Sequence, residues 1–134
     1  MSLGLYLHIP YCFSKCRYCD FYSAPGQRGV PRAYVDALLR ELSRFSPDAP
    51  LRPDTLYFGG GTPSLLDPAD AARLIAAAQP LPGAEITLEA NPETVTEDSL
   101  RTFREAGVNR ISFGVQSARD SQLKTLGRPH TAKQ

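Results

Sequence analysis

The sequence predicts an α/β fold in which four βα units share one parallel sheet, and three observations carry that reading. Short runs rich in Val, Ile, Leu and Tyr alternate with longer stretches of helical period, the rhythm of βα units. Every predicted strand ends in residues unsuited to a plain turn. The chain of 134 residues, 42% hydrophobic and 22% charged, is long enough for one domain with a real core.

The first strand is LGLYLHI, Leu3 to Ile9. A loop, residues 10–25, follows with Cys12, Cys16 and Cys19 at a C-x3-C-x2-C spacing. Pro31 suits the first turn of a helix, and Val35, Leu38, Leu39, Leu42 and Phe45 recur with helical period on one apolar face. DTLYFGGGTPS makes a second strand running into Gly59, Gly60, Gly61 and Thr62, and DPADAARLIAAAQ a second helix with Asp67 as N-cap and Pro68 at its first position. AEITLEANPE is a third strand ending at Glu89, Asn91 and Pro92. TEDSLRTFREAG is a third helix, capped by Thr96 and stopped by a left-handed Gly107. VNRISFGVQS is the fourth strand, ending at Gln116 and Ser117, and a short helix and a turn at Gly127 to Pro129 close the chain.

Four such units make half of a TIM-like barrel, which needs about 250 residues when complete. The expectation is therefore a truncated, partial barrel whose open sheet edge favours self-association. The formal charge of +1 and the lack of a Lys/Arg-rich run argue against nucleic-acid binding, and no segment reads as a signal peptide or an integral membrane span. Three cysteines in one loop fit a ligand or redox role in a reducing compartment better than structural disulfides, so the expected location is cytoplasmic.

In parallel βα sheets a ligand site forms outside the carboxyl ends of the strands, where these unusual residues converge. Three readings of the cysteine loop compete: an iron–sulfur cluster, a zinc site completed by His8, and a redox pair at Cys16 and Cys19. Lys15 and Arg17 favour the thiolate form. The glycine run permits close backbone approach to a ligand or makes a tight turn. Glu89 is either a ligand acceptor or a salt-bridge partner. His8 is expected to be hydrogen-bonded at the core or rim, and His130 to be solvated. Asn91-Pro92 is read as turn chemistry, and Tyr6, Tyr57, Phe58 and Phe113 first of all as core aromatics. Arg101, Arg104 and Glu105 are expected on a wet helix face.

The stretches YLHIPYCFSKCRYCDFYS, YFGGGTPS, LEANPET, GVNRISFGVQS and LGRPHT, in that order, resemble the radical S-adenosylmethionine (SAM) superfamily. The resemblance is to its branch of heme chaperones and oxygen-independent coproporphyrinogen III oxidases. It implies that residues 1–134 are the N-terminal part of a radical SAM barrel, with Cys12, Cys16 and Cys19 on three irons of a [4Fe–4S] cluster. SAM would take the fourth iron through its amino and carboxylate groups. An electron from the reduced cluster would cleave the sulfonium to methionine and a 5′-deoxyadenosyl radical. The resemblance assigns Tyr6, Tyr18, Gly60, Gly61, Thr62, Glu89, Gln116 and Arg128 to SAM, with Tyr18 by the adenine, the glycines by the methionine moiety and Arg128 by a carboxylate.

Within the branch, porphyrinogen oxidases usually carry a glycine and another cysteine after the third cluster cysteine. Here Asp20, Phe21 and Tyr22 follow Cys19, an ending similar to that of the heme chaperones. The implied partners are heme or a porphyrin, an electron donor and acceptor hemoproteins. The oxidase remains the alternative.

Overall fold

The computed structural model describes residues 2–45 and 48–134. Its order is β1 (Gly4–Ile9), α1 (Arg32–Phe45), β2 (Thr55–Gly60), α2 (Pro68–Ala78), β3 (Glu85–Ala90), α3 (Glu97–Glu105), β4 (Arg110–Phe113) and α4 (Asp120–Leu126). The strands form one parallel sheet in the order β1-β2-β3-β4. This is the expected α/β arrangement of four βα units.

The sheet has two different faces because strand side chains alternate. Leu7, Ile9, Leu56, Phe58, Ile86 and Leu88 point to one face and are buried with Val35, Leu42, Ala71, Leu74, Ile75, Ala78 and Phe103 from α1, α2 and α3. The register aligns Tyr6 with Tyr57, Tyr57 with Thr87, and Thr87 with Arg110 on the other face. That face carries aromatic and polar residues. Phe58 is a core aromatic as expected, but Tyr6 is 54% exposed and Phe113 45% exposed. Tyr6 lies on the face without helices, and Phe113 at the short last strand lacks the cover that Phe58 receives from its neighbours.

Local signals explain most helix ends. Asp67 accepts from the Ala69 backbone N–H at 2.8 Å, with Pro68 opening α2. Thr96 and Ser99 exchange side-chain to backbone bonds at the start of α3, and Gly107 follows its end at φ +114°. Arg101 pairs with Glu97, and Arg104 and Glu105 are exposed, so this face of α3 is wet as expected.

Three boundaries differ from expectation. Pro31 precedes α1, and its carbonyl accepts from Tyr34 and Val35, so it acts as the capping carbonyl. Phe45, expected on the apolar face, ends α1 exposed. The fourth strand stops at Phe113, after which Gln116 adopts φ +66° and turns the chain out of the ladder.

Removing the Phe58 ring, which is fully buried, leaves a cavity between sheet and helices. Phe58→Ala is expected to lose about 3–5 kcal/mol in chemical denaturation, while Arg101→Ala on the wet face changes stability by less than about 0.5 kcal/mol.

Candidate functional site

The four strand ends open onto one cleft of about 270 Å³. Two features extend the sheet into its rim. The Gly61 N–H donates to the Ile9 carbonyl at 2.8 Å and Thr62 N–H to Tyr11 at 2.7 Å, while Gly114 N–H donates to Ala90 at 2.9 Å. The cysteine loop folds back on itself, with Cys12 N–H on the Ala24 carbonyl at 3.0 Å and Gln27 N–H on the Cys12 carbonyl at 2.9 Å. Its middle docks on the end of α4 through Arg17 N–H to the Leu126 carbonyl at 3.2 Å.

All three cysteines line the cleft as free thiols, Cys12 buried and Cys16 and Cys19 half-buried. Tyr18, Gly60, Gly61, Thr62, Glu89, Gln116 and Arg128 line it too. Tyr6 does not. It sits on the polar sheet face, its hydroxyl 3.0 Å from His8 Nδ1 and its ring stacked on Tyr57 with centroids 6.0 Å apart. Burial, and then the charge of Glu89, push its phenol pKa up.

The glycines are required by space. A Cβ on Gly61 would lie 2.6 Å from the Tyr11 carbonyl oxygen and 2.9 Å from Cys12 Sγ, and one on Gly60 would lie 2.7 Å from the His8 ring. Gly60 also has φ +122°, a backbone state that side chains rarely adopt. The run is therefore a close-packed floor under the cysteine loop, which a plain turn would not need.

Glu89 is held by two donors, the Tyr57 hydroxyl at 2.7 Å and the Gly60 N–H at 3.2 Å. Among the described residues no cation lies within ion-pair distance of it, so the salt-bridge reading fails. The hydrogen bond from Tyr57, with burial second, pushes that phenol above its ordinary value. Burial likewise raises Tyr18, with Arg128 pulling the other way.

Both ring nitrogens of His8 are engaged, Nδ1 with Tyr6 and Nε2 with the Tyr22 carbonyl at 3.1 Å, as a hydrogen-bonded rim residue requires. His8 is thus not presented as a zinc ligand. Among the described residues no three His, Cys, Asp or Glu side chains converge on a single ion position. Three free thiols around one cleft are a donor set that a polynuclear iron–sulfur group, whose separate irons each take one thiolate, can use. His130, expected in solvent, is buried. Its Nε2 donates to the Val115 carbonyl at 3.0 Å, and its Nδ1 lies 3.2 Å from a Glu93 carboxylate oxygen, outside hydrogen-bond alignment.

A model of the radical SAM superfamily matches residues 6–134. The chain belongs to the radical SAM superfamily. Membership implies a [4Fe–4S] cluster and SAM, and the donor set of this cleft is compatible with both. The chain is 48% identical over 134 residues to the heme chaperone HemW of Escherichia coli (strain K12), covering 96% of this chain and 35% of that one. It is 40% identical to radical S-adenosyl methionine domain-containing protein 1, mitochondrial, of Bos taurus, covering 97% and 30%. Among solved structures it resembles coproporphyrinogen III oxidase (HemN) from Escherichia coli, a radical SAM enzyme, with TM-score 0.85 and 32% identity over 96% of this chain and 31% of that one. The chain spans about a third of the length of these relatives.

Sequence reasoning left the side chain of Asn91 and Gly114 out of the site. Asn91 closes a turn through its main chain, its carbonyl accepting from the Thr94 N–H at 3.0 Å, and this frees the side chain for the cleft. A Cβ on Gly114 would lie 2.7 Å from Asn91 Oδ1, so the glycine admits that side chain. The signal available in the sequence was a glycine directly after a strand.

The folded-state pKa of Tyr57 is raised, so its contribution to stability is complete below about pH 10 and is lost as pH climbs through the folded-state value. In Glu89→Gln, which keeps an acceptor but removes the charge, Tyr57 should ionise at lower pH than in the parent. Tyrosinate absorbance, with Tyr57→Phe to identify the band, measures this; an unchanged titration contradicts the pairing.

Proposed function

We propose that this chain is the cluster- and SAM-binding part of a heme chaperone, a protein that binds heme and passes it to acceptor hemoproteins in the cytoplasm. The observation that carries the reading is the ending after the third cysteine, where Asp20, Phe21 and Tyr22 stand in place of the glycine and cysteine of the oxidases. Relatives named heme chaperone HemW at 48% and 41% identity support it.

In this reading Cys12, Cys16 and Cys19 are the thiolate ligands of the cluster, and Lys15 and Arg17 in the same loop offset its negative charge. When bound, the cluster supplies one electron, received from an external donor, and SAM supplies the sulfonium bond that the electron cleaves. The chain's own residues orient the cofactor. Gly60 and Gly61 let its methionine end approach the backbone, and Tyr18 offers a ring to the adenine. Glu89, held by Tyr57 and the Gly60 N–H, accepts from a hydroxyl or ammonium group. Gln116 stands at the turn after β4 as donor and acceptor, Thr62 and Arg128 complete the wall, and Tyr6 supports Tyr57 by stacking on it from the neighbouring strand.

A second reading, oxidative decarboxylation of coproporphyrinogen III, is favoured by the likeness to the solved oxidase at TM-score 0.85. The two separate in one experiment on the full-length protein, reconstituted anaerobically with iron and sulfide and given SAM, a strong reductant and coproporphyrinogen III. We expect 5′-deoxyadenosine without porphyrinogen conversion, together with a Soret band on adding heme that moves to an apo-hemoprotein. Conversion to protoporphyrinogen overturns the chaperone reading.

Two substitutions test the cofactor assignments. Cys16→Ala should abolish iron incorporation while Arg73→Ala, which breaks the bridges to Asp36 and to the buried Asp70 away from the cleft, should not; equal iron in both would remove the cluster from this loop. Glu89→Ala should weaken SAM binding by about 1–3 kcal/mol in calorimetry, and an unchanged affinity would take Glu89 out of the SAM site.

A further inference from the structure

Two of the three cysteines are joined by a directed chain of hydrogen bonds that crosses three strand ends. Arg128 Nη1 donates to Cys16 Sγ at 3.2 Å, and Nη2 donates to Asn91 Oδ1 at 2.7 Å and to the Gly114 carbonyl at 2.5 Å. Asn91 Nδ2 donates to Thr62 Oγ1 at 3.3 Å, and the Thr62 hydroxyl donates to Cys12 Sγ at 3.6 Å. The direction is not arbitrary. Guanidinium can only donate, so it turns the Asn91 oxygen toward itself and the Asn91 amide toward Thr62. With one lone pair of Thr62 occupied, its single proton is left for the sulfur.

Both side chains that reach the sulfurs are buried, and Asn91 between them is half-buried. Thr62 is 3% exposed and Arg128 9% exposed. A guanidinium keeps its charge and all its donors at any ordinary pH, so Arg128 reaches Cys16 as a cationic donor. Among the described residues no side-chain donor reaches Cys19 Sγ. Donors at Cys12 and Cys16, and none at Cys19, make the three sulfurs inequivalent.

We propose that the Thr62–Asn91–Arg128 relay sets the reduction potential of the bound cluster by hydrogen-bonding the Cys12 and Cys16 sulfurs, with Asn91 as the positioning residue between them. The inference rests on the cluster assignment above. Hydrogen bonds and positive charge at ligand sulfurs stabilise the reduced, more negative cluster over the oxidised one and raise its potential. Both Nη atoms of Arg128 are committed to Cys16, Asn91 and Gly114, while its buried Nε has no partner among the described residues and is left for a ligand.

The test is a spectroscopically monitored redox titration of the full-length, reconstituted protein without SAM, with iron and sulfide content measured for every variant. Arg128→Met should lower the midpoint, by about 59 mV for each tenfold loss in the equilibrium constant for electron uptake. Thr62→Val, which removes one hydroxyl and keeps the shape, should lower it less. Asn91→Ala should lower it as well, and its effect should be non-additive with that of Thr62→Val, because both act through one relay. Iron–thiolate stretching bands should rise in frequency in the same variants. Unchanged midpoints with full iron content overturn the proposal. If Arg128→Met loses its iron, Thr62→Val decides, an unchanged midpoint there overturning the relay. Failure of the parent protein to take up iron would instead remove the cluster assignment and the relay with it.

Discussion

Parallel pairing of four strands in a continuous register is the constraint on which the other features depend. It brings the carbonyl ends of β1, β2, β3 and β4 to one rim, and it aligns side chains of one parity on one face. Leu7, Phe58 and Leu88 then form a floor that α1, α2 and α3 cover, so the opposite parity is left to Tyr6, His8, Tyr57 and Glu89. A one-residue slip in β2 would exchange Phe58 for Tyr57 on the buried face. The same slip would carry the glycine run away from the cysteine loop, so core and site are protected by one register.

The rim is built from main chain before side chains. Gly60, Gly61 and Gly114 let neighbouring backbone and polar groups approach to distances that any Cβ would block. Into that space come Cys12 beside Gly61 and Asn91 beside Gly114. Glu89 receives the Gly60 N–H and the Tyr57 hydroxyl, so an acidic group is kept in place by neutral donors, without a cation that would cancel its charge. Among the described residues the one guanidinium that lines the cleft, Arg128, is directed instead at Cys16. Positive charge is thus concentrated on the cysteine side and an unneutralised carboxylate lies across from it, which suits a bound group with a negative cluster at one end and an ammonium or hydroxyls at the other.

Much of this was legible in the residues. Apolar periodicity located the helices, and Asp67-Pro68 and Thr96 marked their starts, because capping and burial are local or near-local demands. The convergence of the cysteines, the glycine run, Glu89 and Gln116 followed from the rule that parallel strands present their carboxyl ends together. The misjudged residues share a different cause. Tyr6 and Phe113 have core-like chemistry, but exposure depends on which sheet face the helices cover and where the strand stops. His130 looked solvated by its place in the chain, yet it packs under the turn after β4 against Val115 and Glu93.

The amino-acid order by itself determined the α/β class, the number of βα units and the loop that bears three thiols, since each depends on spacing within a segment. Only the tertiary structure decided that His8 is spent on Tyr6 and Tyr22, that the Asn91 side chain meets Arg128, and that the Cys12 and Cys16 sulfurs receive side-chain donors. Those bonds join residues that are far apart in sequence, as with Arg128 and Cys16 at a separation of 112. Their partners are selected by register and close packing across strands, which no local pattern of residues encodes.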